Sequence, residues 1–243
     1  MGTITVTLDK DKTLILYYRA EQVSPPSPPP SPPEKKLDIV SAFVVPTNFQ
    51  RPCFTVKPHV TIKNLTDQGV TAEIIWNDLT RNMELKRRTD YVPPGGYLAD
   101  EVEYKVPAGY DQLKVKADVY SEGVLQDSAT LTIYVVRGAV PFLTDVKHPS
   151  SASPGSKLDV VYSFWNCGDT GKAAIIIEGV YDGNYARFAE KTYDVAHNQT
   201  VQDKETITMP QCKTLELRVH ACTVNPDGSK TVIDSYKATI PAG

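Results

Sequence analysis

No stretch of the 243-residue chain approaches the 18 or more consecutive apolar residues of a membrane-spanning helix, so the sequence predicts no transmembrane segment. It lacks a basic excess as well. A net charge of -3 and an isoelectric point near 5.8 leave no electrostatic footprint for nucleic acid, which is not expected as a partner. The four cysteines (Cys53, Cys167, Cys212, Cys222) form no CxxC pair, and the four histidines (His59, His148, His197, His220) form no HxH or HExxH. No metal or cofactor is therefore expected. GxSxG, GxGxxG and P-loop patterns are also missing, and no pair of carboxylates stands out, so the chain reads as not an enzyme. Its first ten residues, MGTITVTLDK, lack a basic stretch followed by an apolar one. Either the chain is not exported by the usual route, or an export signal has been removed. Methionine is scarce (3), tyrosine frequent (13) and Val, Thr and Ile common, a bias toward strands.

What is present begins with proline. Seven of the ten residues from Ser24 to Pro33 are proline, which excludes both a helix and a central strand. The segment is expected to run as a polyproline II spacer of roughly 30 Å at about 3.1 Å per residue. Before it, Thr3–Leu8 alternates with Ile4, Val6 and Leu8 on one face. Asp9–Lys12 makes a polar turn, and Thr13–Tyr18 reads as a second strand carrying Leu14 and Leu16. An isolated two-stranded hairpin is marginal in water, so its apolar face needs something to pack on: the chain's own body, a sister subunit or another protein. Docking on a partner is the reading carried forward, with Ile4, Val6, Leu8, Leu14 and Leu16 as the assembly interface.

From Leu37 the chain repeats itself. Pro52 matches Pro154, Asn64 matches Asn166 and Gly69 matches Gly171 at one offset. Val106-Pro107 is matched by Met209-Pro210, Leu113–Val119 by Leu215–Ala221, and each half closes on Asp-Ser and an alternating strand (Asp127–Ile133, Asp234–Ile240). About seven short strands in roughly 100 residues, with frequent turn signals, predict an antiparallel β-sandwich for each half. In the second half the strands are expected near 142–147, 157–165, 172–179, 185–194, 200–208, 213–222 and 230–240. Met83–Arg88 (MELKRR) has a helix-friendly composition but is short, and is read as a strand edge. The fold class is thus all-β, two tandem immunoglobulin-like antiparallel β-sandwiches behind a hairpin and a proline-rich linker. The expected domains are 1–23 (docking hairpin), 24–36 (linker), 37–137 (first sandwich) and 138–243 (second sandwich).

Pro154-Gly155-Ser156, an alternating strand, then Trp165-Asn166-Cys167-Gly168-Asp169-Thr170-Gly171 and an apolar strand resembles the CARDB-type immunoglobulin-like modules of archaeal and bacterial surface proteins. In that family a strand ends in Asn-x-Gly before a small-residue turn; the first module keeps Asn64 and Gly69 but has Leu65-Thr66 where the family has a glycine two residues after the asparagine. The resemblance implies non-enzymatic spacer or interaction modules and transfers no binding residue.

Individual residues leave several readings open. Cys167, after the second strand of the second sandwich, and Cys222, at the end of the sixth, are expected at the same end of that sandwich. Either they form a disulfide or all thiols are free and buried; Cys53 has no evident partner, and Cys212 and Cys222 flank one strand and stand too far apart. Asp182-Gly183-Asn184 and Asn225-Pro226-Asp227-Gly228 read as tight turns rather than calcium loops. Asn64-Leu65-Thr66 and Asn198-Gln199-Thr200 are glycosylation sequons at expected turns. Lys86-Arg87-Arg88 reads as a solvated strand edge, and Tyr91–Tyr97 as a Tyr/Pro/Gly loop.

The expectation is a structural or assembly protein. Its layout is similar in outline to turret, spike or vertex proteins of icosahedral viruses, including archaeal ones. That resemblance implies copies of itself or other shell proteins as partners, and the virion surface as location. The alternative is a secreted or cell-surface adhesion or ligand-binding protein.

Overall fold

The computed structural model describes residues 2–9, 12–18, 34–47 and 50–243, the first two segments through their strand pairing; the proline-rich stretch lies outside the described residues. The chain divides into two compact units, Met1–Glu34 and Lys35–Gly243. In the first, β1 (Gly2–Asp9) pairs antiparallel with β2 (Lys12–Tyr18). The register sets Ile4 opposite Leu16 and Val6 opposite Leu14, with an irregularity between Thr7 and Asp9, where Leu8 lies.

The second unit is all-β and antiparallel. Its first sandwich contains β3 (Leu37–Val45), β4 (Thr55–Asn64), β5 (Val70–Asp78), β6 (Met83–Val92), β7 (Tyr97–Glu101), β8 (Tyr104–Lys105), β9 (Gln112–Ser121) and β10 (Val124–Tyr134). Its second contains β11 (Pro141–Lys147), β12 (Lys157–Asn166), β13 (Gly171–Tyr181), β14 (Asn184–Val195), β15 (Thr200–Thr208), β16 (Thr214–Val224) and β17 (Lys230–Pro241). One sheet runs β3-β4-β7, with β8 also on β4, against β10-β9-β5-β6; the other sandwich repeats this as β11-β12-β15 against β14-β13-β16-β17. Every strand expected in the second sandwich is found with its ends within two residues.

Alternation explains the cores. Along β5, Val70, Ala72, Ile74 and Trp76 are buried while their neighbours are not, and β9 does the same with Leu113, Val115, Ala117 and Val119. Two separate clusters result, one ending at Val135 and the next beginning at Ala139. Each large side chain buried in them contributes about 1.5–3 kcal/mol. The exception is β13, buried on both faces from Ala173 to Gly179. Its outward Ala174 and Ile176 meet Cys222 and Val224 in a small satellite cluster.

The repeated residues have identifiable tasks. Asn64 and Asn166 are fully buried at the ends of β4 and β12. Asn64 Oδ1 accepts from the Thr66 N–H, and its Nδ2 donates to the carbonyls of Gln68, Val92 and Pro93. Asn166 does the same for Gly168 N–H and the carbonyls of Asp169 and Ala196. The Asp of each Asp-Ser pair grips the first strand of its sandwich, Asp127 Oδ2 accepting from Ile39 N–H and Asp234 Oδ2 from Leu143 N–H. In both places the gripped strand carries a bulge just beyond that residue.

The match of Gly69 to Gly171, however, is one residue out of register. Val119 and Ala221 are equivalent at an offset of 102, yet their partners across the sheet are Ile74 and Ile175. The loop after Asn166 is one residue shorter than that after Asn64, so Gly171 stands where Val70 does. Met83–Arg88 lies in β6, but it is not simply a solvated edge. Lys86 and Arg88 both donate to Asp100 Oδ1 (2.7 and 3.0 Å), and only Arg87 turns outward, to Glu73 and Glu84.

Candidate functional site: the joint between the sandwiches

Chain geometry brings the densest set of unusual groups together where the sandwiches meet. Cys53 and Cys167 form a disulfide across that joint, with Cα atoms 6.2 Å apart and a sequence separation of 114. Of the two readings left open for Cys167, a bond to Cys222 or a free buried thiol, neither holds, whereas Cys212 and Cys222 are free and buried as the second reading had them. Cys167 and Cys222 do lie toward the joint, but Cys167 leaves the three-stranded sheet, whereas Cys222 is packed outward on the opposite sheet in the satellite cluster. A sandwich is about 10 Å thick between its sheets, beyond the span of a disulfide. Cys212 and Cys222 are free and buried, and burial pushes the Cys222 thiol up to about 11. Such thiols are poor nucleophiles at neutral pH.

Sequence reasoning missed Cys53, although a signal was there. The repeat aligns Cys53 with Gly155, and both occupy the left-handed region (φ 70° and 80°) at equivalent turns. Cys53 N–H donates to Val106 O just as Gly155 N–H donates to Met209 O. Glycine adopts that conformation freely, whereas a residue with a Cβ is disfavoured by roughly 1–2 kcal/mol. A cysteine standing where the sister module has glycine is explained by what its sulfur reaches. Closing a loop of this length restricts the denatured chain by roughly 4–5 kcal/mol in the chain-entropy account.

Asp169 is the polar centre of the joint. It is 7% exposed. Its carboxylate accepts from Gly109 N–H of the first sandwich (2.7 Å) and from the Arg137 guanidinium of the connecting segment (3.1 and 3.2 Å). The connecting segment is knitted to the second sandwich through its backbone: Cys167 N–H donates to Val140 O, Asp169 N–H to Gly138 O, and the Thr223 hydroxyl to Ala139 O. Gly168 makes this approach achievable. A Cβ there would stand 2.4 Å from the Gly138 carbonyl oxygen and 2.7 Å from Val140 N. Arg51 adds a further link, donating to Asn225 Oδ1 at 3.0 Å, and Phe54 and Phe142 rings lie 6.2 Å apart across the joint. Beside the disulfide runs an open groove of about 450 Å³ whose walls include Tyr104, Lys105, Trp165 and His197.

The other singled-out residues serve the fold. His59 stacks on Phe43, His148 Nε2 meets the Tyr236 hydroxyl, His197 Nδ1 meets Gly168 O, and His220 Nδ1 meets Ser235 Oγ. Among the described residues no group of three or more His, Cys, Asp or Glu is placed to hold a metal. Asp182 and Gly183 form the tight turn of the β13–β14 hairpin. Asn64 cannot serve as a glycosylation acceptor in the folded chain, because its amide is consumed by three carbonyls; Asn198 is exposed. The side chains of Ile4, Val6, Leu8, Leu14 and Leu16 lie outside what the structure describes.

Electrostatics are arranged to hold sheets and turns. Asp100 on β7 accepts from Trp76 Nε1 on β5, linking the two sheets through the core. Burial would push its carboxyl up, but the bonds from Lys86, Trp76 and Arg88 outweigh this and hold it below the ordinary range. Asp78 is buried too, and Tyr104 and Arg81 hold it low against the same penalty. In the second sandwich Asp203, bonded by Lys191, the Lys204 N–H and Tyr193, is lowered to about 2. A depressed folded value stabilises the fold above the unfolded pKa near 4, and that contribution is lost as pH falls through the folded value. The melting temperature, followed by circular dichroism, is therefore expected to be flat from pH 8 to about 5 and to drop steeply between about 4 and 2. A melting temperature unchanged at pH 2 would contradict these assignments.

Compared with known proteins, the chain matches no protein-family model and no curated protein. Among solved structures it is similar to red sea bream transglutaminase, with TM-score 0.39 and 14% identity over 86% of this chain and 31% of that one. It is similar also to the native conformation of E. coli alpha-2-macroglobulin (0.30, 13%, 99% of this chain and 18% of that one). A third likeness is to the Pseudomonas aeruginosa CupB2 chaperone (0.29, 12%, 80% and 98%). The chain thus spans less than a third of the first two, and none of these likenesses bears on what it binds.

Proposed function

We propose that this chain is a non-enzymatic structural component, carried into an assembly by its N-terminal hairpin and presenting two immunoglobulin-like sandwiches that act as one body. The observation that supports it is the joint. A disulfide, a buried aspartate clamp and a knitted connecting segment hold the two cores in one arrangement, which is what a spacer or projecting element needs. The finer reading is a virion component of turret, spike or vertex type, built from CARDB-like modules, with copies of itself or other shell proteins as partners. Repetition around a symmetry axis would turn a modest hairpin contact into avidity.

A secreted or cell-surface adhesion protein is the second reading, and the disulfide favours it, because such bonds persist in oxidising surroundings. A virion exposed on release, or a hyperthermophilic host, meets the same condition.

Light scattering after size-exclusion chromatography on the full chain and on residues 34–243, across a range of concentrations, tests the proposal. The full chain is expected to form a ring or larger assembly that collapses to monomer on truncation. Two identical monomers, or a truncated chain that assembles normally, would remove the hairpin from the assembly role.

A further inference from the structure

We infer that the Cys53–Cys167 bridge is a load bypass: once the non-covalent contacts have given way, tension entering from the N-terminal segment and leaving through the second sandwich crosses the sulfur bond, and residues 54–166 are not drawn out. The argument rests on covalent connectivity. The chain enters its second unit at Lys35, runs through β3 to Cys53, and is joined there to Cys167, which leads directly into β13. Every strand from β4 to β12 lies inside the closed loop. Among the described residues the only strand of the first sandwich on the load path is β3, and it is pinned along its length. It pairs with β4 from Leu37 to Val45, Asp127 accepts from the Ile39 N–H, and Lys35 bonds Asp127 and Asp38.

The placement of the two sulfurs supports a role at the joint rather than in a core. Neither cysteine belongs to the cluster that fills the first sandwich or to the one that fills the second. Cys53 holds a left-handed turn that its counterpart Gly155 adopts without strain, so the side chain is kept for what it reaches across the joint. The aspartate clamp and backbone bonds already set the arrangement at rest. A covalent bond adds what hydrogen bonds lack, which is resistance to sustained pulling.

Single-molecule pulling on the full chain, with handles at both termini, tests this with and without a phosphine reductant. An extended residue spans about 3.3–3.6 Å, so the 114-residue separation corresponds to a difference of roughly 400 Å. The oxidised chain is expected to reach full extension about 400 Å short of the reduced one. Cys53→Gly, which gives the turn the residue of its sister module, is expected to extend to the reduced length under both conditions. Cys167→Ala serves the same purpose should that variant fail to fold. An oxidised chain that extends as far as the reduced one would overturn the inference. So would a Cys53→Gly or Cys167→Ala chain that stops as far short as the oxidised wild type, since the shortfall would then not come from the bridge. The readout does not depend on whether the hairpin docks, so it stands or falls separately from the scattering experiment.

Discussion

Replacing Asn166 by alanine is expected to lower stability by about 3–5 kcal/mol, read as a shift of the urea midpoint at unchanged slope. Asn166 is fully buried and makes four bonds to backbone: Oδ1 accepts from Val140 and Gly168 N–H, and Nδ2 donates to Asp169 and Ala196 carbonyls. Each buried group left without a partner costs about 1–3 kcal/mol, and the losses are less than additive because the loop relaxes. Water cannot easily replace the side chain, since Cys167, Gly168 and Asp169 are themselves buried against the connecting segment. The equivalent Asn64→Ala is expected to lose less, about 2–3 kcal/mol. Its loop, Leu65 to Gly69, is largely exposed, so solvent can reach Gln68 and Thr66 once the amide is gone. Midpoint shifts below 0.5 kcal/mol at both positions, or a larger loss at Asn64, would refute this account of the repeated asparagine.

Asp100→Ala is expected to cost about 3 kcal/mol at pH 7 and somewhat less at pH 2.5, where the part that comes from the depressed carboxyl fades and the part that comes from the indole remains. Its carboxylate is 1% exposed and takes three donors, Trp76 Nε1 at 2.8 Å, Lys86 at 2.7 Å and Arg88 at 3.0 Å. The two cations stand more than a third exposed and can turn to water. Trp76 cannot, because its ring is entirely buried, and its N–H would be stranded in the core. The loss should therefore follow the tryptophan more than the charges. Asp100→Asn, which keeps an oxygen for Trp76, is expected to cost roughly half as much and to flatten the acid side of the melting profile. Thermal melts of wild type and both variants at pH 7 and pH 2.5 decide it. Equal losses for the two substitutions at pH 7 would show that the charge, and not the indole bond, is what the core depends on.

Of these two residues only the asparagine stood out in the sequence. Asn64 and Asn166 stand out because the repeat brings them into alignment, and a buried amide at the end of a strand is a local arrangement that recurs whenever the strand and its turn recur. Strand positions were legible for a similar reason. Alternation with period two depends only on which residues face the core, and β12, β15 and β17 follow it closely. The Asp-Ser pairs marked the closing strand of each half, though their grip on the opening strand is a contact across about 90 residues that no spacing announces.

The chain order alone thus determined the class of fold, the number of modules and, in the second sandwich, the edges of the strands, because these follow from short-range pattern and turn chemistry. Tertiary structure decided what happens between distant segments. Whether Cys167 bonds Cys53 or Cys222 depends on which sheet each leaves and which way its side chain faces, quantities set only when two sheets pack. Lys86 and Arg88 read as solvated charge until β7 brings Asp100 beneath them. The joint is the clearest case. Gly109, Arg137 and Asp169 carry no motif, and they become a clamp because the ends of two sandwiches meet there and a buried carboxylate must find donors.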